Sequence, residues 1–459
     1  MVNFFFPNYR KLNLSIAFRY NVKYKKGLMT LPVLVFSVLN VCGQVDTTKD
    51  DRFTIHAQTT IITQYKPAFK AKYTGSNSLL PQAETQRSTT STLYLGARLW
   101  KGASIYLNPE VAGGSGLSGS LGVGASSNGE TYRIDNAAPQ FELARLYITQ
   151  IIPLDNTTEY QKSDLNTLGG KIPTSYLSFT IGKICVSDFF DLNKYSHDPR
   201  IQFISWALMN TGAWDFPANT RGYTPSIVLE YITPHNEWRA GFSLEPKVAN
   251  AMAMNWNISK TGAYTLEYTH KYALDNRKGA LRLVSYFNLA HMGNYNQSIQ
   301  LNPTAPNILA TEAYGHSKYG FGINGEQEIS DNMGLFYRAG WDDGNNETWA
   351  YTEIDRTFSL GLSSSGKGWK RPNDNVGLAY VVSGLSAPHR NYLSNGGLGF
   401  ELGDGKLNYS LEQLTELYYS MELIKNLYVS GTYQFILNPG YNRDRGPVNV
   451  FSLRVHMEL

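Results

Sequence analysis

The chain has 459 residues, of which 17% are charged, 31 are Tyr and 41 are Gly. Its formal charge of +4 sits at one end: residues 1–43 hold six basic residues and no acidic one, so the remainder carries 35 basic against 37 acidic residues, which removes the electrostatic motive for nucleic acid as a partner. No run of about 18 apolar residues lies beyond the N-terminus, which excludes a transmembrane helix there, and Cys185 is the only cysteine outside Cys42, which excludes an intrachain disulfide framework.

The N-terminus reads as a secretion signal. Lys25 and Lys26 form a positive segment, residues 28–39 an apolar one, and Val41, Cys42 and Gly43 are small residues ahead of Gln44. This assigns residues 1–43 to a signal peptide and residues 44–459 to a single mature domain. Met29 is an alternative start, and Val41 before Cys42 fits a lipoprotein signal poorly.

Beyond a polar approach at 48–52, Phe53–Ile62 reads as a first strand and residues 64–91, rich in Ser, Thr and Gln, as a loop. Residues 92–111 then form the clearest element. Strand side chains alternate between faces, which puts Leu93, Leu95, Ala97, Leu99, Ile105, Leu107, Pro109 and Val111 on one side. Tyr94, Arg98, Ser104, Tyr106, Asn108 and Glu110 fall on the other, and Lys101–Gly102 makes the turn of a hairpin. A soluble sandwich would face the apolar row inward; a membrane barrel faces it toward lipid and puts the charges in the lumen.

Residues 113–129 are dense in Gly and Ser and read as a long loop, followed by strands at 141–151 and 177–184. Residues 188–220 break the alternation. Phe189, Phe190, Tyr195, Phe203, Trp206, Trp214 and Phe216 are interleaved with Asp191, His197, Asp198, Arg200 and Asp215. A loop this aromatic is expected to fold into a barrel and narrow it rather than extend into solvent. Further strands are expected at 223–232, 238–245, 263–272, 281–291, 318–329, 333–341, 353–362, 375–383, 409–423, 427–437 and 448–459. Short and long links alternate, with 152–174 and 363–374 as long exceptions on the short-link side. The expectation is therefore an all-β fold: a transmembrane antiparallel β-barrel of about sixteen strands, with long extracellular loops, an inward-folded constriction loop and both termini in the periplasm. The final strand supports it. Phe451, Leu453, Val455, Met457 and Leu459 oppose Ser452, Arg454, His456 and Glu458. Such an ending is similar to the signal read by the barrel-assembly machinery of outer-membrane proteins, although those usually end in Phe or Tyr rather than Leu.

Several segments in order carry a family likeness: L-Y-L-G-A-R-L-W at 93–100, S-H-D-P-R-I-Q-F at 196–203, R-G-Y-T at 221–224, K-Y-G-F-G-I-N-G-E-Q at 318–327, G-W-D-D-G-N-N-E-T-W-A-Y-T-E-I-D at 340–355, G-D-G-K-L-N-Y at 403–409 and N-P-G-Y-N-R-D-R-G-P-V at 438–448. Together they resemble the carbohydrate-selective porin family, the OprB-like proteins, from about His56 to the end. The resemblance implies a sixteen-stranded barrel in the Gram-negative outer membrane, in contact with lipid and lipopolysaccharide, that passes monosaccharides and other small carbohydrates by diffusion; it also favours a monomer.

A sugar path needs aromatic faces for stacking and charged or amide groups for the hydroxyls, with binding weak enough to release. By alternation the lumen candidates are Tyr94, Arg98, Tyr106, Asn108 and Glu110, with Arg98 and Glu110 expected near one another. Trp206 and Trp214 are the stacking candidates, and Arg338, Arg282 and Arg454 are wall charges. Arg145 is ambiguous because it shares a face with Leu143. The plainer readings are a wall salt-bridge network for the charges and loop packing for the two tryptophans. Trp238, Trp341 and Trp349 fall near strand ends, as girdle residues do. Asp342–Gly344 and Gly403–Gly405 lack the spaced ligands of a calcium loop and read as turns. No cofactor motif and no G-x-S-x-G elbow appears, which argues against an enzyme. The competing functions are a general small-solute porin and a secreted β-sandwich that binds carbohydrate.

Overall fold

The computed structural model describes residues 50–131 and 137–459; the expected signal peptide, with Cys42, lies outside the described residues. The strands are β1 (Phe53–Lys66), β2 (Glu84–Trp100), β3 (Ala103–Gly114), β4 (Gln140–Pro153), β5 (Thr158–Gln161), β6 (Gly170–Pro173), β7 (Tyr176–Ile184), β8 (Thr224–Ile232), β9 (Asn236–Ser243), β10 (Gly262–Leu274), β11 (Arg277–Leu289), β12 (Ser317–Glu328), β13 (Met333–Asp342), β14 (Arg356–Ser365), β15 (Asn375–Gly384), β16 (Glu412–Ile424), β17 (Leu427–Leu437) and β18 (Val448–Glu458). Among the described residues, three short α-helices lie in the loops: α1 (Trp206–Met209), α2 (Tyr295–Leu301) and α3 (Ala387–Ser394).

Sixteen of these strands close an antiparallel barrel, each beside its neighbour in sequence, except that β4 pairs with β7 and the β5–β6 hairpin stands apart. β1 meets β18 in antiparallel register, with Ile61 opposite Val455, so the barrel sheet closes on itself without an open edge. Turn chemistry sets the register on the side of the termini. Gly102 takes φ +79°, and Asp275–Asn276 takes φ +48° and +61°, the two left-handed residues that a tight two-residue hairpin requires.

The apolar faces point outward. In β18, Phe451, Leu453 and Met457 are 47%, 53% and 40% exposed, whereas Ser452, Arg454 and His456 are 7%, 0% and 1% exposed. A β-sandwich core would show the reverse, so this arrangement overturns the sandwich alternative. The exposed row is a lipid-facing surface, and the buried polar row lines the lumen. Trp238 and Trp341 sit in ring pairs, with Tyr268 and Phe321 at 4.6 and 5.2 Å. Trp349 departs from the girdle expectation: it is fully buried in the β13–β14 loop, and its Nε1 donates to the Pro246 carbonyl.

Loop 185–223 fills the lumen. A loop with little secondary structure of its own must find partners for its buried backbone groups, and the wall strands supply them. Glu416 on β16 accepts from the Ile204 and Ser205 amides at 2.7 and 3.0 Å. Glu267 on β10 accepts from the Asp191 amide at 2.6 Å. Arg454 on β18 donates to the Pro199 and Gln202 carbonyls at 2.7 and 2.6 Å. Its aromatics complete the docking, with Phe203 against Tyr418 and Phe336 at 4.9 and 5.5 Å. The Gly-rich loop 115–131 also folds in, with Glu412 accepting from the Gly124 and Ala125 amides at 3.2 and 2.9 Å.

Candidate functional site

Between loop 185–223 and the β1–β4 wall lies a cavity of about 490 Å³, within the range of small-molecule sites. Its chemistry starts from an irregularity in β4. Asn108 pairs with Arg145 but Pro109 pairs with Leu143, so Ala144 is an extra residue, a β-bulge. The bulge flips the alternation. Leu143 stays with the lipid-facing row while Arg145 turns into the lumen, which resolves the ambiguity of that arginine.

Arg145 holds Asp188 of the loop through two bonds, Nε to Oδ2 at 2.6 Å and Nη2 to Oδ1 at 2.8 Å. Its guanidinium lies over the Tyr223 ring at 5.1 Å, and Nη1 has no hydrogen-bond partner among the described residues. Arg200, from the same loop, lies between two carboxylates. Its Nε is 3.0 Å from Glu130 and its Nη2 3.2 Å from Glu110, while Nη1 donates to the Tyr94 hydroxyl at 3.0 Å. The Tyr223 hydroxyl donates to Glu110 at 3.1 Å. Lys183 on β7 pairs with Glu142 at 2.5 Å, and Arg221 approaches the same carboxylate at 3.7 Å. The charges at the cavity, with Glu110, Glu142 and Lys183 immediately behind it, are thus mutually paired.

Aromatic rings line the same cavity. Trp206 stacks on Tyr351 at 5.6 Å with the planes 17° apart, and Tyr351 packs on Phe216 at 4.3 Å. The Tyr351 hydroxyl donates to the Trp206 carbonyl, which ties the pair together. Tyr147 on β4 adds a ring between Tyr106 and Phe189, at 5.1 and 6.2 Å.

The expected residues divide by position. Tyr94 and Trp206 line the cavity, and Glu110 and Tyr106 stand immediately behind it, bonded to Arg200 and stacked on Tyr147. Asn108 is buried beside it. Arg338 is fully buried outside the cavity, pairing Asp191 at 3.3 Å and donating to the Leu208 and Ser196 carbonyls at 2.9 and 2.7 Å, so it anchors the loop. Trp214 is buried behind the loop against Phe190 at 6.4 Å. Arg98 and Glu110 do not meet. They pair along the hairpin with Ser104 and Thr92, roughly 20 Å apart at ~3.3 Å per residue. Arg98 instead holds the Asp51 and Gly169 carbonyls at the periplasmic mouth. Glu130, Glu142, Lys183, Asp188, Tyr223 and Tyr351 carry no local signal that would single them out. Arg200 does, through the H-D-P-R run at 197–200.

A second polar cluster lies in the extracellular loops. His389 on α3 is 3.1 Å from Asp355 and 3.6 Å from Glu353, with Tyr295 stacked on it at 4.4 Å. Burial disfavours the imidazolium, but Asp355 and Glu353 outweigh it and raise the pKa from 6.5 to about 9. Burial pushes the Glu347 carboxyl up from 4.5 to about 8. Both folded values exceed the unfolded ones, so their stabilising contribution is complete below the unfolded values and is lost as pH rises through about 8 and then about 9. Loop residues 343–355 and 385–411 are therefore expected to become protease-sensitive between pH 7 and pH 10 while the barrel keeps its heat-modifiable migration. An unchanged cleavage rate would contradict this.

A model of the carbohydrate-selective porin family, OprB, matches residues 76–459. No curated protein matches the chain in sequence. The high-pH structure of Pseudomonas putida OprB is similar at 17% identity and a TM-score of 0.68, over 89% of this chain and 94% of that one. The outer membrane channel DcaP of Acinetobacter baumannii is similar at 10% identity and a TM-score of 0.50, over 89% and 97%. At these identities the structural likeness speaks for the fold, a closed sixteen-strand barrel.

Proposed function

The chain belongs to the carbohydrate-selective porin family, OprB, and from that premise we propose that the cavity between loop 185–223 and the β1–β4 wall is where a monosaccharide passes. The protein is an outer-membrane carbohydrate porin of the Gram-negative type, and its family and fold point to a channel. The observation that carries the proposal is the pairing, within one cavity, of a stacked aromatic face with two arginines, Arg145 and Arg200, that line it and are held by carboxylates. Trp206, supported by Tyr351, presents its ring to the C–H face of a pyranose. Arg145, fixed by Asp188, and Arg200, fixed by Glu110 and Glu130, line the cavity and supply the polar side of the path for the hydroxyls. Tyr94 and Glu110 hold Arg200 in place, while Asn108 bonds Asn166 at the cavity's edge. Because the cations are already paired with carboxylates, a neutral sugar gains bonds without having to displace a tightly held ion, which keeps binding weak and release fast.

Liposome swelling with the purified protein tests this, comparing glucose, larger saccharides and an uncharged non-sugar solute of matched size. Faster entry of glucose than of the matched solute supports a sugar path; equal entry would favour a general small-solute pore. Trp206→Ala removes one stacking face, worth about 0.5–1.5 kcal/mol. The half-saturating glucose concentration is expected to rise roughly two- to twelve-fold. No change would assign Trp206 to loop packing alone.

The finer assignments are read the same way. The apolar C-terminal row of β18 suits delivery by the barrel-assembly machinery, and the exposed apolar belt suits lipid and lipopolysaccharide around a monomer. Native mass spectrometry in detergent would overturn the monomer if it returned a trimer mass.

A further inference from the structure

Links on the side of the termini are short at 101–102, 275–276 and 425–426, but residues 154–175, between β4 and β7, are not a simple turn. They carry the β5–β6 hairpin, whose strands are exposed or half-buried except at Gly170, which is buried together with Leu168 and Gly169 before it. A turn hanging free in the periplasm would bury none of these. The tip instead enters the lumen and is held there by wall side chains. The Ser163 hydroxyl bonds Thr54 Oγ1 at 2.6 Å and His56 Nε2 at 3.0 Å. Asn108 Nδ2 donates to Asn166 Oδ1 at 2.8 Å, and the Leu168 backbone bonds the Tyr106 phenol. The Asp51 amide and Arg98 donate to the Gly169 carbonyl at 2.9 and 3.3 Å.

Asn108 lies five residues up β3 from Ala103, so the tip climbs roughly 17 Å along that strand at ~3.4 Å per residue. Asn166 turns there with φ +51°, a left-handed conformation that Asn tolerates well. Leu165, Asn166 and Thr167 then line the same cavity as Arg145 and Phe189. The cavity therefore has a wall built from the periplasmic side as well as one built from the extracellular side.

We propose that the tip of this periplasmic hairpin is a second constriction, held by Thr54, His56 and Asn108, and that it sets, together with loop 185–223, the largest saccharide that passes. The proposal rests on the reading of the cavity as the sugar path. Two variants test it from opposite directions. Replacing residues 156–173 with an Asn-Gly turn removes the tip and leaves β4 and β7 joined. Leu165→Trp fills the gap without altering the barrel. Each is purified as the full chain, checked for heat-modifiable migration, and assayed for single-channel conductance and for swelling with mono-, di- and trisaccharides.

The shortened variant is expected to gain conductance and admit the disaccharide, and Leu165→Trp to lose conductance and slow the monosaccharide. If the shortened variant fails to fold, the Leu165→Trp result decides alone. Folded variants with wild-type conductance and size cutoff would overturn the constriction and leave the sugar reading standing. Wild-type protein that conducts ions but admits no sugar would overturn the sugar reading, and the conductance of the variants would still decide the constriction.

Discussion

Arg338→Met is expected to open the pore. Arg338 and Asp191 are both fully buried, and the guanidinium reaches the Asp191 carboxylate and the Leu208, Ser196 and Asp191 carbonyls. Removing one member of a buried ion pair costs about 3–5 kcal/mol. Each carbonyl left without a donor adds about 1–3 kcal/mol. None of this loss falls on the barrel ladder, because β12, β13 and β14 keep their backbone pairing. It falls on the docking of loop 185–223, which has little secondary structure to hold it otherwise, so the loop opens as a local unit. The expected result is a larger and noisier single-channel current and entry of saccharides that wild-type protein excludes, with heat-modifiable migration retained. Wild-type conductance from folded protein would show that the loop's aromatic packing suffices to hold it.

Arg200→Met is expected to change what the pore prefers rather than how wide it is. The methionine keeps most of the length, but Glu110 and Glu130 lose the cation between them. Stranding a buried charge in this way costs about 2–5 kcal/mol. The cheapest relief is a cation recruited from solution, and that energy corresponds to roughly 30-fold or more in the cation's favour. The reversal potential under a salt gradient should therefore shift toward cations, and glucose entry should slow because the site now holds an ion. Glu110→Gln combined with Glu130→Gln should shift the potential the other way. Movement of both variants in the same direction would mean that the charges act through loop position and not through the field in the pore.

The structure separates two kinds of residue that look alike in sequence. Arg98, Arg338 and Arg454 read as strand arginines on polar rows and Arg145 as one sharing a face with Leu143, yet of the four Arg145 alone lines the cavity while Arg338 and Arg454 hold the loop and Arg98 holds the periplasmic mouth. Nothing within a few residues of Arg98, Arg338 or Arg454 distinguishes them. Arg145 is hidden further by the bulge at Ala144, which breaks the period that alternation relies on. Trp206 and Trp214 are likewise eight positions apart in one aromatic loop. One stacks in the cavity and the other packs behind it, because the chain turns through α1 between them.

The barrel itself, its sixteen strands, its outward apolar rows and its inward aromatic loop were all legible in the order of residues. Strand faces alternate with period two, and tight turns need left-handed residues; both constraints act within a few residues and so leave a local trace, as in the apolar row of 451–459 and the Lys101–Gly102 turn. The cavity had no such trace. Arg200 meets Glu110 across 90 positions and Asn108 meets Asn166 across 58, and each contact exists only once the barrel closes and loops from both ends fold into it. Which charges pair, which ring faces the sugar and how far the periplasmic hairpin climbs were decided by that closure, because buried charges and backbone groups must find partners wherever the fold brings them.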